Sequence, residues 1–555
     1  MKDNIKQISI IHIAFLVSLF CVGLFHEYLS CVASIFLASW LFINHIRKKR
    51  TVIYLNLTTV SFAFIVLSYG LTVIWAVDSG MAFIGFLKYL PLLLFAISLM
   101  QTEEKDTILN FLPYTVTLMT VLSAILAQIP SLEHFFIIEG RLSGFLQYPN
   151  TFAILVLIAE LLLLCKEKIK YYDLICIILL VVGLVYTGSR AVFIIAIVAN
   201  IAAVLFTKSK KFIFYSIIAL LAAGFAAVVF LIATDNTYII ERLATINFKE
   251  STFIGRFLYF VDALPVILKN PFGTGFMGYY YMQGSFQSGV YSTAYIHNDF
   301  LQLLLDIGWI PSALFIFVIL KRVFGKDTPK SYRIILATLV SHSLFDFNLQ
   351  FISIFFICIL LLDFNFGKKH VISDNKWAIC ALAAFITCVS LYMGTSLVLY
   401  RVGRYDASYA MYPYNHNTET AILLNTKDIE TANSIATKTQ ERNKYFLLAY
   451  SVKSRYAYSK GDFATLITLK NKTFEIAPFV YEEYEEYARM LINGIELYKQ
   501  AGDLKSQQIC ISELKAIPQK LDALNDRISS LGKKIKDQPQ TRLPDVLVEY
   551  INSLE

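Results

Sequence analysis

The sequence predicts an all-α fold: a polytopic helical membrane protein of about 12–13 transmembrane helices with a large extracytoplasmic loop, then a C-terminal α-helical domain. Three observations carry this. Of the 555 residues 57% are hydrophobic and 16% charged, and mean hydropathy is +0.58, far too apolar for a soluble chain of this length. Apolar stretches of roughly 20 residues, enough to cross a hydrocarbon core about 30 Å thick, recur from the N-terminus to about Tyr400. After Arg401 the sequence turns charged, tyrosine-rich and helical in character as far as Glu555. The expected domains are therefore 1–400 and 401–555.

In chain order the spans fall near Ile8 to Phe25, Tyr28 to Ile46, Tyr54 to Ala76, Met81 to Leu99, Ile108 to Ile129, Asn150 to Cys165, Tyr172 to Thr187, Ala191 to Thr207, Phe212 to Ala233, Asp299 to Leu320, Ile334 to Phe345, Asn348 to Leu362 and Trp377 to Leu399. The first lacks a small-residue cleavage site and another span follows it at once, so it reads as an anchor and not a removed signal peptide. Basic loops set the orientation. "RKKR" (Arg47 to Arg50), "KEKIK" (Lys166 to Lys170), "KSKK" (Lys208 to Lys211), "KRVFGKDTPKSYR" (Lys321 to Arg333) and "GKKH" (Gly367 to His370) all fall on one side when spans alternate. That side should be the cytoplasm, with the N-terminus there and the C-terminal domain extracytoplasmic. The net charge of +8 thus reflects topology, and no nucleic-acid partner is expected.

On the opposite face three polar connections carry arginine, which short outer loops usually avoid. They are Pro130 to Pro149 with Arg141, the turn "TGSRA" (Thr187 to Ala191) with Arg190, and the long loop 234–297 with Arg256. The loop contains amphipathic helical sequence running into a Pro/Gly break, "FIGRFLYFVDALPVILKNPFGTGF" (Phe253 to Phe276), and closes on "HND" (His297 to Asp299) at the mouth of the next span. A loop so long and apolar is expected to fold back on the membrane.

Five stretches carry a resemblance: "GRLSGFLQYPNTFA" (Gly140 to Ala153), "YTGSRAVFIIAIVA" (Tyr186 to Ala199), "IGRFLYFVDALPVILKNPFGTGF" (Ile254 to Phe276), "YIHNDFLQLLLDIGWIPSALF" (Tyr295 to Phe315) and "HSLFDFNLQFISIFF" (His342 to Phe356). In this order they resemble the O-antigen ligase and O-antigen polymerase superfamily. The resemblance implies a membrane glycosyltransferase of cell-surface polysaccharide biosynthesis. Such a protein moves a glycan from an undecaprenyl diphosphate carrier to a glycan, lipid or wall-polymer acceptor at the outer face of the cell membrane.

The residues fit that chemistry independently. A departing diphosphate accumulates negative charge, which fixed cationic donors stabilise, and the planar guanidinium binds phosphate oxygens bidentately. Arg190 and Arg256 are the candidate catalytic cations, at positions to which the resemblance also points. An acceptor alcohol needs a base, and an imidazole, with an unperturbed pKa near ~6.5, suits neutral pH; His297 is the candidate. Arg141, Lys88 and Asn298 are candidate contacts to the carrier diphosphate or acceptor, Lys88 because ionisable groups inside a span are functional hypotheses by default. Each has a structural alternative: Arg190 as a snorkelling helix end, Arg256 as a surface contact of an amphipathic helix, Arg141 as a loop brace, Asn298 as a helix cap. His342 and Asp346, one helical turn apart, read as a buried polar pair that fixes helix packing.

No phosphate-binding glycine loop and no zinc spacing occurs, and the eight cysteines sit mainly in spans, so no cofactor, no metal and no disulfide framework is expected. In the tail, "YAYSKGDFATLITLKNKTFEIAP" (Tyr456 to Pro478) and "YKQAGDLKSQQICISELKAIP" (Tyr498 to Pro518) repeat a helix, a Gly-Asp turn, a second helix and a proline stop. The pattern is similar to a degenerate tetratricopeptide (TPR)-like hairpin array, which implies either a surface for a protein partner or a compact cap over the active site. The end, Gly532 to Glu555, reads as a linker and a short helix. Ligation, polymerase-type elongation of lipid-linked units and protein O-oligosaccharyl transfer share donor and membrane side and stay open. A transporter or flippase would show broken helices with polar groups near the midplane, and a scaffold would not need His297.

Overall fold

The computed structural model describes residues 9–102, 105–205, 237–244, 251–373 and 376–554, with short pieces between 217 and 229. The expected span Phe212 to Ala233 and the basic loop "KSKK" lie largely or wholly outside the described residues. The described part is a helical bundle followed by helical hairpins, with two small two-stranded sheets.

Among the described residues, five helices are long and apolar enough to cross a membrane: Glu27–Lys48, Ser79–Met100, Asp106–Leu126, Ser251–Lys269 and Lys376–Arg401. Six shorter apolar helices, among them Leu57–Thr72, Pro149–Leu164, Tyr171–Tyr186 and Arg190–Leu205, join them. The chain is a multi-pass membrane protein. Its centre is held by Pro149–Leu164 and Ile352–Leu361, both apolar over most of their surface and almost wholly buried; every residue of the latter is buried, as expected of helices surrounded by other helices.

One end of the bundle gathers the basic loops. Thr51–Leu55, just after "RKKR", pairs antiparallel with Lys368–Ile372 from "GKKH". Lys48 donates to the Gln101 carbonyl at 3.1 Å, and Arg322 to the Leu361 carbonyl at 3.0 Å. Two loops read from charge as sharing a side are thus hydrogen-bonded to each other.

The expected span Asp299 to Leu320 needs correction. It is two helices, Asp299–Ile307 and Trp309–Phe324, separated by Gly308 at φ +86°. The chain 270–273 presses into this break: a Cβ on Gly308 would lie 2.3 Å from the Pro271 carbonyl oxygen. Asp306 accepts from the Tyr69 hydroxyl, near the end of Leu57–Thr72 farthest from the basic loops, so Asp299–Ile307 belongs to that other end. Ser251–Lys269 lies there too. Its Ser251 hydroxyl accepts from the Lys536 amide, its Asp262 accepts from Ser288, and its Ile267 carbonyl accepts from the Trp309 indole. These contacts, spread along its length, are all with segments at that end of the bundle.

The tail forms antiparallel hairpins: His416–Asn425 with Ile429–Arg442, Leu447–Ser459 with Phe463–Ile476, and Tyr481–Ala501 with Leu504–Asp522. In both repeat units the Gly-Asp turn works the same way. Gly461 and Gly502 take φ of +71° and +73°, and Asp462 and Asp503 cap the next helix by accepting the Thr465 and Ser506 amides, each at 3.0 Å. The second proline is not a stop: Pro518 lies inside Leu504–Asp522, which continues another turn. The C-terminal helix Asp545–Ser553 returns Leu547 and Ile551 to the core built on Phe463, Tyr487 and Leu514.

Candidate functional site

Asp346, fully buried in the turn after the Lys330–Ser343 helix, is a hub for five side chains. Its Oδ1 accepts from the Tyr148 hydroxyl at 2.9 Å and lies 3.5 Å from His297 Nδ1. Its Oδ2 accepts from Asn150 Nδ2 at 2.9 Å and Arg256 Nη2 at 3.3 Å, with His342 Nε2 at 4.0 Å. Burial alone would raise the carboxyl, but Arg256, His297 and His342 outweigh it and hold it well below the usual carboxylate range. Asp346 is therefore an anion at neutral pH, oriented by three side-chain hydrogen-bond donors, Tyr148, Asn150 and Arg256, with the two imidazoles beside it.

His297 reaches the hub by an unusual backbone, φ +55°, in the left-handed region that a β-carbon disfavours. Its side chain is one-fifth exposed and packs edge-on against Phe347, with the Tyr259 ring 6.1 Å away. Asn298, next in the chain, caps Asp299–Ile307 by accepting the Phe300 and Leu301 amides, and donates to the Leu344 carbonyl at 3.0 Å. Its amide thereby ties the His297 segment to the Asp346 turn. Asp299 adds a second tie, accepting the Leu349 amide at 3.0 Å.

Arginines ring the hub. Arg256, on the first turns of Ser251–Lys269, is 18% exposed at its side chain. Arg141, 5% exposed, donates Nε to the Thr187 carbonyl at 2.8 Å and Nη2 to Asn150 Oδ1 at 2.6 Å. Burial and neighbouring Arg242 pull its guanidinium down to about 10, so it stays protonated at neutral pH. Arg242 donates to the Gly188 carbonyl at 3.0 Å. Gly188 is at φ +57°, and a Cβ there would lie 3.4 Å from Arg242 and 3.7 Å from Arg141. The two guanidinium stems thus flank the "TGSRA" turn, from which Ser189 also donates to Asn150 at 3.1 Å and after which half-buried Arg190 opens its helix.

Of the sequence-predicted residues, the fold joins Arg256 and His297 at Asp346 and Arg141 through Asn150, with Arg190 on the adjoining turn. Lys88 is apart. It is fully buried, 3.3 Å from Glu27 and 3.5 Å from the Tyr295 hydroxyl, with the Phe25 and Phe276 rings 4.8 and 5.2 Å away. Sequence reasoning gave Asp346 to packing and did not single out Tyr148, Asn150 or Arg242. Only His342 and Asp346 had a visible signal, their one-turn spacing. What makes Asp346 central is that four of its five partners lie 49 to 198 residues away.

The site occupies the end opposite the basic loops, and the tail docks on that same end. Arg442 bridges Glu419 and Asp78 at 2.5 and 3.3 Å, Tyr412 donates to the Gly80 carbonyl at 2.9 Å, and Arg527 donates to the Ser285 carbonyl at 2.7 Å. The chain from Ser529 to Lys536 runs along the arginine-bearing helix 251–269, by way of Ser288 and Ser251.

A family model described as O-antigen ligase matches residues 175–316, the stretch holding Arg190, Arg242, Arg256, His297 and Asn298. No curated protein and no solved structure matches the chain significantly. The family match and the apolar helices together describe a multi-pass membrane protein in which residues 175–316 are similar to the O-antigen ligase family.

Proposed function

We propose that the protein is a glycosyltransferase that moves a glycan from an undecaprenyl diphosphate carrier to a glycan, lipid or wall-polymer acceptor at the outer face of the cell membrane. The observation that best supports this is an imidazole and a guanidinium sharing one buried carboxylate, His297 and Arg256 on Asp346.

In this reading Asp346 accepts from His297 Nδ1–H, which leaves the Nε2 lone pair for the acceptor hydroxyl. The hydroxyl oxygen bonds to the anomeric carbon, its proton passes to Nε2, and the bond from that carbon to the diphosphate breaks. Arg256, with Arg190, Arg141 and Arg242 nearby, stabilises the charge on the departing diphosphate. Guanidinium groups thereby do the electrostatic work without a metal. Asn298 acts by holding His297 in place, and Lys88 enters as the buried partner of Glu27 behind Tyr295. The site end is extracytoplasmic and the basic end cytoplasmic, and residues 401–555 form an extracytoplasmic TPR-like cap on the transferase domain 1–400.

The test is transfer by purified protein in nanodiscs, with undecaprenyl diphosphate-linked oligosaccharide and excess chelator. Wild type is expected to elongate lipid-linked glycan or label an added acceptor, and His297→Ala and Arg256→Ala to lose at least about 100-fold in rate. A ladder of longer lipid-linked products identifies elongation, a single product on a distinct acceptor identifies ligation, and unaltered rates in both variants refute the reading.

A further inference from the structure

The geometry points to Gln302 and Asp306 as positioning residues that hold His297 in its left-handed conformation from beneath. This rests on the transferase reading above and adds to it the device that aims the base.

His297 at φ +55° is a conformation that a non-glycine residue keeps only when its surroundings over-determine it. The turn at this point sends the amide of the preceding residue, Ile296, inward. Ile296 is fully buried, so that N–H needs an acceptor. Gln302 Oε1 supplies it at 3.1 Å, from the second turn of Asp299–Ile307. The same side-chain amide donates Nε2 to Asp306 Oδ1 at 2.9 Å, one turn further on. Asp306 Oδ2 accepts from the Tyr69 hydroxyl at 2.9 Å, which fixes the carboxylate to the Leu57–Thr72 helix.

Each member has one allowed sense. Ile296 N–H only donates, so Gln302 must present its oxygen there and its NH₂ to Asp306, which must accept. Gln302 and Asp306 are 2% and 0% exposed, so water does not substitute for either. Loss of the Gln302 acceptor would strand a buried amide and let the turn relax to φ below zero, swinging the imidazole off Asp346. A displacement of about 1 Å is enough to cost a rate on the order of 100-fold.

The test compares wild type, Gln302→Met, Gln302→Glu and the double variant Gln302→Glu/Asp306→Asn in the nanodisc transfer assay, with thermal melting of each. Gln302→Met is expected to lower kcat about 10- to 100-fold with the donor KM within about twofold. Gln302→Glu keeps an acceptor for Ile296 N–H but turns its other oxygen on the Asp306 carboxylate, and the repulsion should pull it off that amide and lower kcat as well. The double variant reverses the bond: the new asparagine NH₂ would donate to the new glutamate carboxylate, whose other oxygen receives Ile296 N–H, and Tyr69 keeps an acceptor. It should recover at least about tenfold over Gln302→Glu. Wild-type kcat in Gln302→Met, with His297→Ala inactive, overturns the inference and leaves the transferase reading intact. So does a double variant that melts like wild type yet is no faster than Gln302→Glu. Absence of His297-dependent transfer in the wild type overturns the transferase reading, and this inference with it.

Discussion

Asp346 shows how much chemistry one buried carboxylate concentrates. Three side-chain donors and two histidines surround it, and each oxygen has its own set: Tyr148 and His297 on one, Asn150, Arg256 and His342 on the other. Asp346→Asn keeps the shape but turns one oxygen into NH₂, which must then face donors on either side. The expected result is a loss of about 10²- to 10⁴-fold in kcat in the transfer assay with the protein still monodisperse, because the imidazole loses its anionic partner. A variant above a tenth of wild-type rate would reduce Asp346 to packing. His297 was legible in the sequence because a polar triplet at the mouth of an apolar stretch is itself anomalous. Asp346 was not, since a carboxylate one turn from a histidine looks the same whether it serves helix packing or a site.

The element that shapes the site is the broken helix after His297. Gly308, at φ +86°, ends Asp299–Ile307 and lets the 270–273 segment lie against it, Thr274 donating its amide to the Leu305 carbonyl at 2.6 Å and Gly275 to Asp306 at 3.0 Å. Gly308→Ala meets both a disfavoured backbone and a carbonyl oxygen 2.3 Å from the new Cβ. It is expected to cost on the order of 2 kcal/mol or more, seen as a lower melting midpoint in detergent. Gly403→Ala is the control: φ is +77° but nothing lies within 4 Å of its Cβ, so only the backbone term remains and the midpoint should move less. Hydropathy alone did not place this break, because Leu303 to Leu305 and Ile307 before Gly308 and Trp309 and Ile310 after it keep the stretch apolar despite Asp306. The tail's Gly-Asp turns, by contrast, were legible because the same local chemistry occurs twice, whereas Pro518 shows that a proline in a pattern need not end a helix when the structure absorbs it.

At the scale of the molecule, the tail and the bundle meet on the site end, and a titratable group sits in that interface. His416 packs between the Tyr281 and Phe446 rings at 4.3 and 4.1 Å, with Asp78 and Arg442 nearby. Burial pushes its imidazole down to about 4. The folded protein therefore refuses a proton that the unfolded chain accepts below about 6.5, so stability is lost as pH falls from about 6.5 to about 4 and not further below. The integrated effect is on the order of 3 kcal/mol. Melting midpoints at pH 7.5 and 5.0 should fall more for wild type than for His416→Gln, which has no proton to gain; equal falls would remove His416 as the cause.

The sequence by itself determined the membrane character, the helical class, the shared side of the paired basic loops and the positions of the arginines and His297 that stand out there. Those properties are written in local composition and spacing, which the bilayer reads directly: apolar length fixes a helix, and loop charge biases its direction. Tertiary structure decided that Asp346 joins Arg256 to His297, that Arg242 and Arg141 grip one turn, that Lys88 lies apart, and that the tail docks on the same end of the bundle as these residues. Each of these depends on which distant segments share a neighbourhood, and that is set by packing among many apolar faces of similar chemistry, among which no single stretch of sequence chooses.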